Sequence, residues 1–257
     1  MRILYIGESW LGSCARSLKE ALARRGDIEL DEINEDAFFP KPRSRWLRAL
    51  LRATTLAYRR EFEREVLRRV EVLRPEVVVT YKGYPVHAPL LDAIRQRGAL
   101  TVNVYPDCSP HKHGDAHRRA VGAYDLVIST KSYHPGLWST VYGYANRCVF
   151  VAQGYDPVLH LVDRPPTDFA SDVMLVATHR PSYERLMTEL AGELGDPRIS
   201  VTIGGHGWEA CRDSLPTSWR FRGPVQGRSY VSLLRQGRIC IAPLTREAIV
   251  DGKSQPG

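Results

Sequence analysis

The stretch RILYIGESWLGSCARSL, residues 2–18, reads as a buried strand, a glycine turn and the start of a helix. Its apolar residues run on without alternating, which suits a parallel sheet covered on both faces. The turn holds Gly7, four residues, then Gly12 and Ser13. It comes close to two phosphate-binding loops and satisfies neither. A P-loop needs a lysine where Ser13 stands, and a dinucleotide loop needs a glycine where Ser9 stands.

Outward from this unit the same pattern repeats. Apolar runs at 2–6, 28–33, 77–81, 100–105, 126–130 and 148–152 predict strands. A second series follows at 173–178, 199–204, 219–222 and 238–242. Amphipathic stretches at 13–25, 89–97, 135–145, 181–194 and 229–236 predict helices between them. Strand, helix, strand repetition means βαβ units and an α/β fold. The series break at 153–171, where Pro165 and Pro166 stand together. The expected organisation is a Rossmann-like domain over 1–155, a linker over 156–171 and a second domain over 172–257. Beyond the last predicted strand, PLTREAIVDGKSQPG reads as a loop with no helix to close the sheet.

The chain has 257 residues, of which 43% are hydrophobic, enough for one large or two ordinary cores. Cys14, Cys108, Cys148, Cys211 and Cys240 are scattered and form no closely spaced pair. That speaks against a disulfide framework or a structural zinc knot and for a reducing, cytoplasmic setting. The apolar start is too short for a signal peptide, and no run reaches the ~18 apolar residues of a membrane span.

The net charge of +7 sits in one place. Segment 41–74 carries eleven Lys/Arg against four Glu, and the rest of the chain balances. Within it Leu47, Leu50, Leu51, Tyr58, Phe62, Val66, Val70 and Leu73 recur at helical spacing, as one long helix or two broken near Thr54 and Thr55. The arginines fall on the other face. They read as a solvated face or as a contact for an anionic surface. Few aromatics interleave with them, which disfavours nucleic acid.

Ligands of open α/β sheets bind beyond the carboxyl ends of the strands. After strand 173–178 stand Arg180 and Arg185, at a predicted helix start. Two guanidiniums and exposed helix N–H groups suit a diphosphate. After strand 199–204, Gly204, Gly205 and Gly207 make a tight turn from which His206 and Trp208 project. After strand 219–222, Gly223 lets backbone approach a planar ligand, ahead of Val225 and Tyr230. After strand 100–105, PDCSPHKHGDAH brings Asp107, His111 and His113 together. A carboxylate and histidines there can act as a base, orient a hydroxyl, hold a metal, or simply form a loop. His134, in SYHPG, reads as packing or capping.

These pieces in order, CVFVAQGYDPVLHLVD, SDVMLVATHRPSYERLMTEL, VTIGGHGW, FRGPV and SYVSLLRQGRICIAP, resemble the GT-B glycosyltransferases. Within that group they resemble the CgeB-like spore maturation proteins with a glycosyltransferase group 1 C-terminal domain. The YPDCSP loop resembles that family's Asp-containing loop. The resemblance implies two Rossmann-like domains with parallel sheets facing across a cleft. The second would hold a nucleotide-diphosphate sugar, with Arg180 and Arg185 on the diphosphate, His206 nearby, and the base near Gly223 and Val225. Gly7 and Gly12 would face the acceptor. Glu247 would be the first glutamate of the related enzymes' pair, whose second position is Gln255 here. The family pattern continues past Gly257 with an Asp, Arg and Glu-bearing helix, so the resemblance implies an incomplete second domain. Asp107 or His111 would be the base if the anomeric centre inverts; resemblance to group 1 enzymes implies retention. No cofactor and no metal are implied. The rival readings are a nucleotide-sugar epimerase of the same architecture and a truncated, non-catalytic binding module.

Overall fold

The computed structural model describes residues 1–39, 45–161, 168–194, 196, 198–243, 247–250 and 253–256, with backbone alone at 45–55, 112, 247–250 and 253–256. The chain divides into two compact units, Met1–Gly154 together with Arg246–Gly257, and Tyr155–Thr245.

The first unit runs β1 (Arg2–Gly7), α1 (Cys14–Ala23), β2 (Glu29–Asn34), α2 (Arg45–Leu73), β3 (Val77–Tyr81), α3 (Ala88–Arg95), β4 (Leu100–Tyr105), α4 (Asp115–Ala123), β5 (Leu126–Ser129), α5 (His134–Leu137) and β6 (Arg147–Phe150). Its strands form one sheet in the order β2-β1-β3-β4-β5-β6. Every pairing in it is parallel. The chain starts at β1, steps out to β2 and crosses back to β3. The topological switch point therefore lies between β1 and β3.

β1 shows why the sheet is covered on both sides. Leu4 and Ile6 are fully buried against Phe62, Val66 and Val70 of α2. Ile3 and Tyr5 point the other way, into a cluster with Ala15 of α1, Val79 and Tyr81. Gly7 is a packing glycine: a Cβ there would lie 3.1 Å from the Tyr5 ring and 3.2 Å from the Ala15 Cβ. Ser13 caps α1, its hydroxyl accepting from the Ala15 N–H at 3.0 Å.

From Arg45 to Leu73 the arginine-rich stretch is one continuous helix through Thr54 and Thr55. Arg69 bridges it to β2, with Nη1 2.6 Å from Asp31, while Arg68 and Arg69 both bind Glu65. The helix expected over 135–145 is shorter, ending at Leu137. Beyond it Trp138, Tyr142 and Tyr144 turn into the core, and Gly143 takes a φ of +70°. Burial of three aromatic side chains outweighs helical continuation there. α4, which no sequence expectation covered, packs Ala120 and Val121 inward.

The second unit holds α6 (Pro157–His160), β7 (Ser171–Val176), α7 (Pro181–Glu193), β8 (Val201–Gly204), a 3-10 helix over Trp208–Ser214, β9 (Arg220–Arg222), α8 (Arg228–Leu234) and β10 (Gly237–Ile241). Its sheet is parallel throughout, in the order β10-β7-β8-β9, with its switch point between β7 and β10. Leu175, Ile203, Met187 and Trp208 are at most 1% exposed and form its core. The terminal segment expected as a loop contains a short antiparallel pair, β11 (Glu247–Val250) with β12 (Lys253–Pro256). Among the described residues no helix is long and apolar enough to cross a membrane.

Candidate functional site

At the carboxyl edge of the first sheet, β3 ends in two consecutive left-handed residues. Lys82 has φ +61° and Gly83 φ +77°. The neighbouring strand holds this turn. The Lys82 N–H donates to the Val104 carbonyl at 2.9 Å, and the buried Asn103 amide donates to the Lys82 carbonyl at 3.0 Å. Asn103 also donates to Thr80, whose hydroxyl donates to Tyr124, both at 2.9 Å. A non-glycine residue at positive φ persists only where its surroundings over-determine it, and such strain gathers at functional sites. Here the turn sets the Lys82 ammonium 3.4 Å from Glu8, across the switch point, and lifts Tyr84 over the end of β4.

Tyr84, Asp107 and His113 meet there. The Tyr84 hydroxyl donates to Asp107 Oδ2 at 2.6 Å, and His113 Nε2 lies 3.1 Å from that oxygen and 3.2 Å from the phenol. The side chains of Asp107 and His113 are 29% and 25% exposed, so solvent or a substrate can reach them. Burial, and then the Asp107 carboxylate, push the Tyr84 phenol well above its usual range. It stays protonated and serves as a fixed donor. Behind it the His117 ring lies 5.0 Å from Tyr84 and 5.5 Å from His113. Burial, with the positive potential of His113 second, lowers the His117 pKa to about 4. The arrangement is a carboxylate held by two side-chain partners above a neutral imidazole, fitted to orient a hydroxyl and take its proton.

The loop after β4 therefore contributes Asp107 and His113, but not His111. The His111 ring stands edge-on to Tyr142 and Tyr144, at 5.3 and 6.3 Å. That loop is braced from below. His134, fully buried, lies with Nδ1 2.6 Å from the Ser129 hydroxyl and Nε2 3.0 Å from the Cys108 carbonyl. The carbonyl can only accept, so Nε2 carries a proton. Burial holds its pKa below the usual histidine value. Tyr133 donates to the same carbonyl at 3.0 Å and Tyr105 to that of Ser109 at 2.7 Å. His117 comes from α4, beyond the break at Gly114, where φ is +84°, so helical spacing from His113 does not reach it. Nothing in the sequence points to Tyr84, which arrives from another strand end.

In the opening turn Gly12 takes φ +94°. Trp10 and Leu11 at its tip are 42% and 53% exposed. Glu8 and Ser9 are engaged by Ser13, Lys82, Lys19 and Glu32. Gly7 packs against Tyr5 and against Ala15 of α1.

In the second unit Arg180 is the N-cap residue of α7, in extended backbone ahead of Pro181. Arg180 and Arg185 are both exposed, and the Arg180 guanidinium lies 5.9 Å from the Tyr183 ring centre. The exposed His206 serves through its backbone, accepting from the His179 N–H at 2.8 Å. Gly223 is exposed and a Cβ there would meet nothing. Val225 lines an open pocket of about 530 Å³ with Arg222, Arg228, Ser229, Ser232 and Gln236. The backbone of Glu247 opens β11; its side chain and that of Gln255 lie outside the described residues.

No family model and no curated protein matches this chain. Solved structures do. Anabaena HepE, in complex with UDP and glucose, aligns with a TM-score of 0.59 at 12% identity, over 93% of this chain and 73% of its own. The UDP-GlcNAc 2-epimerase of Methanocaldococcus jannaschii gives 0.57 at 11% identity, over 93% and 78%. The lipopolysaccharide outer core galactosyltransferase WaaB gives 0.54 at 13%, over 88% and 68%. The fold is GT-B. Two units, each a parallel sheet with a switch point at its carboxyl edge, are the features this chain shares with that architecture.

Proposed function

We propose that this chain is a CgeB-like GT-B glycosyltransferase that moves a sugar from a nucleotide-diphosphate donor to a hydroxyl-bearing acceptor. The observation that carries the reading is Arg180 as the N-cap of α7, just beyond β7 at the second sheet's switch point. A helix N-terminus offers free N–H groups and partial positive charge, and guanidinium forks match phosphate oxygens. With Arg185 near the same turn, the second unit holds the donor and stabilises the departing diphosphate without a metal. Gly223 and Val225 take the base.

Asp107 is the acceptor-side base if configuration inverts. It takes the acceptor hydroxyl proton as the acceptor oxygen bonds to the anomeric carbon. The bond from that carbon to the diphosphate oxygen breaks, and its electron pair leaves on the phosphate. Tyr84 and His113 hold the carboxylate in place. The setting is the cytoplasm, with the basic face of α2 against an anionic membrane surface.

Calorimetry with UDP, GDP, TDP, CDP and ADP tests the donor site. One nucleotide should bind, and Arg180→Ala with Arg185→Ala should abolish it; unchanged affinity sinks the assignment. Epimerase neighbours favour a second reading, conversion of the donor alone. Incubating the bound nucleotide's sugar conjugates without any acceptor separates the two. Binding without turnover in either assay supports the non-catalytic module.

A further inference from the structure

Three unlike donor groups converge beside α7. A His179 ring nitrogen, a Glu184 carboxylate oxygen and Cys211 Sγ all lie within 4.8 Å of one another. They come from the segment after β7, the first turn of α7 and the 3-10 helix over Trp208–Ser214. His179 and Glu184 touch at 2.8 Å. Cys211 is buried, whereas the side chains of His179 and Glu184 are 21% and 31% exposed, so the group opens to solvent on one side.

The framework around the group is tightly set. The Trp208 indole donates to the Ala177 carbonyl at 2.7 Å, and its ring stands edge-on to His179 at 5.1 Å. Gly207, at φ +89°, leaves the space His179 occupies: a Cβ there would lie 3.2 Å from the His179 Cβ. The Ser214 hydroxyl lies 3.2 Å from the other Glu184 oxygen and 2.7 Å from the Cys211 carbonyl. Both partners only accept, so the one hydroxyl proton is shared, with the Cys211 carbonyl the nearer acceptor, and Ser214 borders the carboxylate from outside.

We propose that His179, Glu184 and Cys211 bind one divalent ion of the Zn²⁺ class, with a fourth position left to water. Imidazole, carboxylate and thiolate together favour a borderline-soft ion over Mg²⁺ or Ca²⁺, which take oxygen ligands. Bonds of about 2.0–2.3 Å in a tetrahedral site place donors roughly 3.5 Å apart, a spacing within the reach of a group whose donors already lie inside 4.8 Å of one another. On binding, the Cys211 S–H bond breaks, the sulfur lone pair goes to the ion and the proton leaves to solvent. A thiolate and a carboxylate then balance the ion's charge. The ion pins the Arg180 turn to the 3-10 helix. The site stands on its own donor atoms and does not rest on the nucleotide-sugar reading.

The test titrates Co²⁺ and then Zn²⁺ into the reduced, chelator-treated full chain. One equivalent of Co²⁺ should give a sulfur-to-cobalt charge-transfer band and tetrahedral visible bands, both displaced by Zn²⁺. Cys211→Ser should remove the charge-transfer band; Cys148→Ser and Cys240→Ser should leave it. Glu184→Gln, at a partly exposed position, should weaken Zn²⁺ at least ~10-fold, with an unchanged circular dichroism spectrum. Absence of stoichiometric binding overturns the proposal. So does a band that persists in Cys211→Ser, or a Zn²⁺ affinity that Glu184→Gln leaves intact.

Discussion

The hydroxyl of Tyr84, at the end of β3, donates to Asp107, at the end of β4, across 2.6 Å. His113 reaches the same carboxylate oxygen at 3.1 Å. This three-part contact spans two strand ends, and no single motif contains it. If Asp107 is the base, Asp107→Asn should lower kcat by about 100-fold or more. Tyr84→Phe should lower it about 10-fold with little change in donor KM, because the base is retained but less well placed. The double variant should cost less than the sum, since the residues share one contact. Full additivity in steady-state kinetics would show that they act apart.

His117 should make the fold acid-sensitive. Unfolded, its imidazole takes a proton near pH 6.5; folded, burial delays that to about 4. Between those values the unfolded chain holds more protons, so stability rises with pH across the window. The contribution is fully present above about 6.5 and lost as pH falls to about 4, a difference of roughly 3 kcal/mol. His134 shifts in the same direction and adds to the slope. Urea midpoints at pH 7 and pH 4.5 should therefore converge in His117→Gln relative to the parent chain. An equal drop in both proteins would exclude His117 as the cause.

Much of the fold is legible in the sequence because continuous apolar runs announce strands buried on both faces. β3 and β4 occupy the residues that their runs predict, and α7 begins at the predicted Pro181. Failures occur where long-range burial decides. The helix expected after His134 gives way to the burial of Trp138, Tyr142 and Tyr144. The site is legible only in part. Asp107 and His113 stand out because both follow one strand in a loop rich in Pro and His. His111 shares that loop, yet it turns toward Tyr142, a partner 31 residues on that spacing cannot reveal. Tyr84 depends on the left-handed turn at Lys82, a conformation its residue type hides.

The basic face of α2 should behave as an electrostatic contact. Arg68 and Arg69 are tied up with Glu65 and Asp31, whereas Arg60 and Arg64 are exposed. Basic side chains at an anionic bilayer contribute about 1 kcal/mol each. Sedimentation with phosphatidylserine vesicles at low salt should capture the chain, and Arg60→Ala with Arg64→Ala should weaken partitioning ~10-fold or more. Binding should fade as salt rises and the Debye length shrinks. Equal binding to neutral vesicles would assign this face to solvent.

Gly205 and Gly223 lie beyond neighbouring strands, and their substitutions should separate folding from binding. Gly205 takes φ +130°, and a Cβ there would collide with the Ala177 carbonyl. Backbone strain and overlap together should cost about 3 kcal/mol or more in Gly205→Ala. Gly223 is outside the positive-φ glycines and has open space around it. Gly223→Ala should therefore leave the thermal midpoint nearly unchanged, within about 0.5 kcal/mol. If the nucleobase rests on the Gly223 backbone, the added methyl lifts it from that surface. Affinity for the preferred nucleoside diphosphate should then fall on the order of 10-fold, for a loss of about 1.4 kcal/mol. A Gly223→Ala chain with both its midpoint and its nucleotide affinity intact would move the base off the Gly223 backbone, into the pocket lined by Arg222, Val225 and Arg228.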